Sequence, residues 1–265
     1  MTQMGSGMRL EGISGARVIV TAGGSGIGCV TARRFAEAGA RVFICDVDSA
    51  CVEAQAGEYP GIGACIADVS SPEDVDRLFA EAQAFLGGLD VLVNNAGIGG
   101  PVGCVENLDV DEWRRTLDVN LTGAFLCARR AVPILKEQRS GSIVNMSSHY
   151  GFLGGATRAP YVASKWAIIG FTKTLAIELG PFGVRANALC PGGVEGERLE
   201  RVMRSEADEK GITCDELREQ WVRGCSLRTF VTPDDVASMI LFLCSDHGAR
   251  ISGQAVAVDG HTEFL

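Results

Sequence analysis

The chain has 265 residues, 46% of them hydrophobic and 22% charged, a balance that fits a globular protein with a filled core and excludes a disordered one. A net charge of −9, with no cluster of Lys and Arg, argues against a phosphate-backbone binder and sets nucleic acid aside as a partner. No run of eighteen apolar residues occurs, and the first fifteen residues lack the cationic start and apolar core of a secretory leader, so a soluble, cytoplasmic protein with no membrane partner is expected.

In chain order, short β-rich runs alternate with longer helical patterns. ARVIVTA leads into GCVTARRFAEAG, ARVFICD into the 51–57 stretch, and IGACIAD into PEDVDRLFAEAQAFLG. LDVLVNN leads into VDEWRRTLDVNLTGAFLCARRAVPIL, and GSIVNMSS into YVASKWAIIGFTKTLAIELG. VRANALC is followed by a charged interval, then DDVASMILFLCSD and the last run, QAVAVDG. Strands joined by helix-length crossovers predict a parallel sheet covered on both faces. The expected fold is α/β: a doubly wound, Rossmann-like, seven-stranded and mainly parallel sheet, formed as a single domain over residues 1–265. The interval at about 194–230 breaks the rhythm with two charged helical patterns, ERLERVMRSEADEK and CDELREQWVRG. It reads either as lid helices over a site or as a solvated surface insertion.

Ten cysteines are scattered, with no CxxC pair and no His at metal-ligand spacing, so neither a disulfide framework nor a metal centre is expected. Cys45 in RVFICDVD and Cys244 in ILFLCSD read as buried free thiols of a reducing compartment.

The first strand runs straight into Thr21-Ala22-Gly23-Gly24-Ser25-Gly26-Ile27-Gly28 and then into a helix. A bound diphosphate needs close backbone approach, tight turns and free N–H groups at a helix start. Gly23, Ser25, Gly26, Ile27 and Gly28 are the residues that can supply them. Asp46 ends the second strand, eighteen residues after Gly28. A carboxylate there accepts hydrogen bonds from a ribose 2′-hydroxyl and repels a 2′-phosphate, which favours NAD over NADP. Its alternative reading is a turn or N-cap Asp before the next helix.

The glycine pattern, Asn94-Asn95-Ala96-Gly97, Asn120 in the mid-chain helix, Ser148, and Tyr161-Val162-Ala163-Ser164-Lys165 stand in one order and spacing. Together they resemble the short-chain dehydrogenases/reductases, over about residues 10–260. The chemistry explains the residue types. Oxidising an alcohol requires a base to take the hydroxyl proton as hydride leaves the carbon, and a free Tyr, with a pKa of about 10, is a poor base at neutral pH. Tyr161 and Lys165 are four apart on a predicted helix, hence on one face. The Lys165 ammonium and a positively charged nicotinamide both favour the phenolate. Ser148, at the end of GSIVNMS, can hydrogen-bond the substrate oxygen. The competing reading of the Tyr161/Lys165 pair is a surface pair held by packing.

The resemblance implies an NAD-dependent oxidoreductase that interconverts a secondary alcohol, of the hydroxy acid, sugar or polyol class, and its ketone, with Tyr161 as general base or acid. It implies that Lys165 also holds the nicotinamide ribose and that Asn120 supports a water linking Lys165 to solvent. Asp68 would face the adenine amino group and Val69 would give a backbone contact, although Asp68 also reads as a turn residue capping the PEDVDRLF helix. Asn94, Ala96 and Gly97 would have mixed cofactor and structural roles, and Pro191, Gly192 and Val194 would form the turn by the nicotinamide. A homotetramer or homodimer, packed through the helices carrying Asn120 and Tyr161, is implied as well. The alternative in another class is a catalytically inactive NAD(H)-binding regulator, against which the intact Asn120, Ser148, Tyr161 and Lys165 speak.

Two departures from the family pattern stand out. Ala22 occupies the first Gly position, which a turn accepts if φ stays negative, and Gly196 replaces a frequent Thr, so one cofactor contact is either absent or supplied by backbone. On the substrate side, Arg158, three residues before Tyr161, is a candidate cation for an anionic substrate or a solvated loop Arg. His149 either lines the pocket or is structural. His261 and residues 263–265 are candidates for a tail near an active site.

Overall fold

In the computed structural model, which describes residues 10–59 and 61–262, strand β1 (Arg17–Thr21) is buried along all but its first residue. Strand β4 (Val91–Asn94) is buried throughout. Such continuous apolar runs are what strands covered on both faces require. The remaining strands are β2 (Arg41–Asp46), β3 (Ile62–Ile66), β5 (Gly141–Met146), β6 (Val184–Pro191) and β7 (Ala255–Val258). They form one seven-stranded sheet in the order β3-β2-β1-β4-β5-β6-β7. Every pairing within this sheet is parallel, with Val18 opposite both Val42 and Val91.

Helices α1 (Gly26–Glu37), α2 (Ser49–Glu58), α3 (Pro72–Leu86), α4 (Val110–Leu117), α5 (Gly123–Gln138), α6 (Ala159–Leu179), α7 (Glu197–Lys210), α8 (Cys214–Arg223) and α9 (Pro233–Cys244) fill the crossovers. One core joins the sheet to α3, α5 and α6 through Leu78, Leu135 and Leu175. A second joins it to α1 and α9 through Phe35 and Ile240. The charged interval forms both predicted helices, which enclose a small core of their own around Met203, Leu217 and Phe230.

The helix starts follow local chemistry. Ser71 caps α3, with Pro72 at its first position, and Thr232 caps α9 in a reciprocal pairing with Asp235. The run expected as one helix from Val110 onward is interrupted by a π turn at Asp118–Thr122 between α4 and α5. One extra residue in the turn offsets the helical face by about a third of a turn, a device common at functional sites, and Asn120 sits inside it.

At the N-terminal edge of the sheet, Arg17 Nε and Nη2 donate to the two oxygens of Asp90 at 2.8 and 2.6 Å, and Nη2 also reaches Gln138. The fork ties β1 to the approach to β4. Burial raises the Asp90 carboxyl, but its hydrogen bonds from Arg17 outweigh that and hold it below the usual carboxylate range. Of the ten cysteines, all unpaired, Cys45, Cys65, Cys127, Cys190, Cys225 and Cys244 are buried. Among the described residues no helix is long and apolar enough to cross a membrane.

Candidate active site

β1 and β4 are sheet neighbours although β2 and β3 separate them in sequence. In open parallel sheets, ligands bind in the crevice that such a reversal opens at the carboxyl ends of the strands. The predicted site residues of the loops after β1 to β6 converge on this edge.

The glycine loop after β1 is wound tightly. A Cβ on Gly28 would lie 2.1 Å from the Ala22 carbonyl oxygen, and one on Gly24 2.8 Å from Cys51 Cβ, so neither position has room for a side chain. Gly26 has φ +52°. Ala22 has φ +49°, so the expected negative φ is not kept: the loop holds the left-handed turn of the usual glycine, and the methyl group carries the strain. Helix α1 begins at exposed Ser25 with no side-chain cap and no acid in its first turn. By contrast, α3, α4, α8 and α9 are each capped by a side chain and carry acids there. The bare N–H groups and positive end of α1 suit an anion.

Asp46 Oδ2 accepts from Gly24 N at 3.1 Å and Oδ1 from Asp48 N at 3.2 Å, which holds the carboxylate over the loop. Capping of α2 falls to Asp48, which accepts from Ala50 and Cys51; the N-cap alternative for Asp46 does not hold. Asp68 is bound into its own turn, with Oδ1 accepting from Ser70 N and Oγ and Oδ2 paired with Arg115 at 3.0 Å; it does not cap α3, whose cap is Ser71. Burial raises the Asp68 carboxyl, and these partners together pull it below its usual range. Val69 is buried against Gly123.

The Asn94 side chain turns away from the crevice to donate to Ala124 O and Asn145 Oδ1. Its neighbour Asn95 ties the edge together, donating from Nδ2 to the Thr21 and Ala22 carbonyls, while Thr21 Oγ1 accepts from Asn95 N and Ala96 N. The frame of the glycine loop thus depends on Asn95 and Thr21, which stand in the sequence motifs without being singled out there as site residues.

Tyr161, Lys165 and Ser148 come together. Lys165 is buried, donates from Nζ to Met146 O at 2.8 Å, and lies 5.5 Å from the Tyr161 ring centre. A Cβ on Gly97 would lie 3.3 Å from Lys165 Nζ and 3.2 Å from Asn120 Oδ1, so these two groups meet beside Gly97. Asn120 accepts from Ile98 N, donates to Ile98 O and donates to Ser164 Oγ; Ser164 in turn donates to Tyr161 O. The π turn is thereby coupled to both the 97–98 loop and the start of α6. Ser148 is buried at the end of β5 and accepts from Tyr150 N at 3.3 Å.

Burial pushes the Tyr161 phenol up, but Lys165, Arg198, the Ser148 hydroxyl and Arg158 outweigh it, and the phenol lies below its ordinary value of 10.0. Burial also lowers the Lys165 ammonium, Arg198 adds to that, and Tyr161 opposes it. The Arg158 and Arg198 guanidinium carbons lie 5.3 and 6.0 Å from the Tyr161 ring centre. Arg198 went unmarked in the sequence. Its signal was position: it is the second residue of α7, where the helix dipole disfavours a cation.

Beyond β6, Pro191 ends the strand, Gly192 N donates to Val258 O, and Val194 bridges Val231. Gly196 has φ +135° as it opens α7, a conformation a Thr would not take, so the missing hydroxyl is tied to the start of the insertion. His149 is buried with Nδ1 3.3 Å from Pro191 O and 3.5 Å from Ser148 Oγ, while among the described residues no group hydrogen-bonds Nε2. Burial lowers its pKa against the pull of Pro191 and Asp259, which favours the neutral ring. The His261 side chain lies 2.7 Å from Ser226 Oγ at the end of the insertion; residues 263–265 lie outside the described residues.

Fold and site together define a Rossmann-type α/β protein whose glycine loop and bare helix start fit a dinucleotide. The family model described as "Enoyl-(Acyl carrier protein) reductase" matches residues 21–261. The D-beta-hydroxybutyrate dehydrogenase of Cupriavidus necator is 35% identical over 94% of this chain and 98% of its own. The 2-(S)-hydroxypropyl-CoM dehydrogenase 3 of Xanthobacter autotrophicus is 36% identical over 92% and 94%. Among solved structures, an NAD+-bound xylitol dehydrogenase superposes with TM-score 0.89 at 28% identity, covering 95% of this chain and all of that one. The chain belongs to the short-chain dehydrogenase/reductase family.

Proposed function

We propose that the protein is an NAD-dependent oxidoreductase that interconverts a secondary alcohol and its ketone, with Tyr161 as the group that moves the proton. The observation that carries this reading is the Tyr161 phenol beside Ser148 and held among Lys165, Arg198 and Arg158. A base works best when its pKa approaches the working pH, and these cations favour the phenolate. Tyr161 takes the alcohol proton in oxidation and returns it in reduction, while Ser148 hydrogen-bonds the substrate oxygen. Lys165, anchored on Met146, would hold the nicotinamide ribose and would exchange protons with solvent through a water at Asn120. When bound, the nicotinamide supplies the hydride acceptor or donor that no side chain provides.

Gly23, Ser25, Gly26, Ile27 and Gly28 would hold the diphosphate, and Asp46 the adenosine ribose. Asp68 and Val69 would border the adenine. Backbone of Asn94, Ala96 and Gly97, with Pro191, Gly192 and Val194, would line the nicotinamide end. Asp46 is the basis for preferring NAD: Asp46→Ser is expected to raise the NADP-over-NAD preference about tenfold or more, because like charges set against each other cost several kcal/mol. Helices α7 and α8 act as a lid, and homotetramer or homodimer assembly belongs to the same reading.

The relatives' names support a hydroxy acid or polyol as substrate, with Ser148, His149, Arg158 and Tyr161 lining its place. The test is NADH absorbance with a panel of hydroxy acids, polyols, sugars and simple alcohols. At least one is expected to turn over, and Tyr161→Phe to abolish that turnover. Binding of NAD without turnover on any of them would overturn this reading in favour of an inactive NAD(H)-binding regulator.

A further inference from the structure

About half of the cations among the described residues pair with a carboxylate, while Arg41, Arg129, Arg139, Arg185, Arg201 and Arg204 do not. Nor do Arg158 and Arg198: among the described residues no carboxylate pairs with either. They come from separate elements, Arg158 from the residue before α6 and Arg198 from the first turn of α7, yet they converge. Their guanidinium carbons lie 5.3 and 6.0 Å from the centre of one ring, Tyr161. Both also flank one loop: Arg198 Nη1 donates to Gly97 O at 3.0 Å, and Arg158 Nη2 lies 3.3 Å from where a Gly99 Cβ would be.

Two like charges brought together beside a third, Lys165, repel one another, and among the described residues no carboxylate offsets that cost. A guanidinium is a planar fork of donors suited to an oxoanion. Arg158 is half-buried, while Arg198 is exposed and bound only to a carbonyl that leaves most of its donors free.

We infer that Arg158 and Arg198 form a two-guanidinium seat for an anionic head group of the substrate, a few bonds from the carbinol carbon that faces Tyr161. The inference rests on the oxidoreductase reading and narrows its substrate to oxoanion-bearing alcohols. Because Arg198 rides on α7, an anion bound between the two arginines also ties the insertion helices to the α6 side of the site.

The test compares 3-hydroxybutyrate with its methyl ester, which removes the charge and keeps the carbinol. The wild-type enzyme is expected to prefer the acid by about a hundredfold in kcat/KM, and Arg158→Gln or Arg198→Gln to cut that preference about tenfold each, since hydrogen bonds to charged groups carry such factors. Arg198→Lys should fall between, keeping the charge and losing the fork. The ratio separates the seat from any effect of Arg198 on Tyr161, which would lower both substrates together. Equal kcat/KM for acid and ester, or variants that leave the ratio unchanged, overturns the inference while the oxidoreductase reading stands. A hydroxyalkyl sulfonate and a hydroxyalkyl phosphate in the same assay show which oxoanion the seat prefers.

Should neither acid nor ester turn over, that reading fails for this pair, and calorimetric titration with acetoacetate and methyl acetoacetate still reads the seat. Binding of the first that weakens about tenfold in Arg198→Gln upholds it. Equal binding of both overturns it.

Discussion

The two edges of the sheet treat positive charge in opposite ways. At the N-terminal edge, Arg17 is satisfied by both oxygens of Asp90 and by Gln138. At the carboxyl edge, Lys165, Arg158 and Arg198 surround Tyr161 with no paired carboxylate among the described residues. The first arrangement is complete in itself and fastens β1 to the approach to β4. The second is incomplete, and its unspent field acts on the Tyr161 phenol and on whatever binds there. The same residue type stabilises the fold at one edge and prepares chemistry at the other.

Substitutions at each edge should therefore fail in different measurements. The largest effect is expected from Tyr161→Phe, which removes the proton-moving group: kcat should fall by about a thousandfold or more, while NAD affinity and melting temperature stay near wild type. Steady-state kinetics and thermal unfolding of the same sample check it, and a loss of stability in step with activity would erase the contrast between edges.

Next comes the pH profile. Tyr161 is lowered because the cations outweigh its burial, so oxidation is supported above its pKa and fades as pH falls through it. Removing a cation by Arg198→Gln returns the pKa upward, and the acidic limb of kcat/KM for oxidation should move to higher pH. A limb that stays in place would show that Arg198 does not act on the phenol.

At the other edge, Asp90→Asn should leave kcat intact and cost about 1–3 kcal/mol in urea unfolding, the range for a charge-assisted pair with one partner removed. The folded Asp90 pKa lies below its unfolded value. The stability it contributes is thus present above the unfolded pKa and is lost as pH falls through the folded one. The variant should show a shallower loss of stability over that acidic window.

The smallest effect is expected at Ala22, whose φ of +49° strains an L-residue. Ala22→Gly should stabilise the protein by about 0.5 kcal/mol, the relief of strain less the entropy a glycine adds to the unfolded chain.

The sequence alone determined the layered sheet, because period and turn chemistry are local properties, and it offered Tyr161, Lys165, Ser148, Asn120 and Asp46 as candidates through motif and resemblance, which the tertiary structure gathers at one sheet edge. The departures lie where contacts are long-range. The π turn at Asn120 arises from bonds to Ile98 and Ser164, and Asp48 rather than Asp46 caps α2. Asn94 points away from the crevice while Asn95 braces it. Arg198 joins Tyr161 only because α7 folds back across 37 residues of sequence. A charged surface pattern and a charged active-site wall look alike in one dimension; burial, pairing and the path of the chain in space decide which one an arginine belongs to.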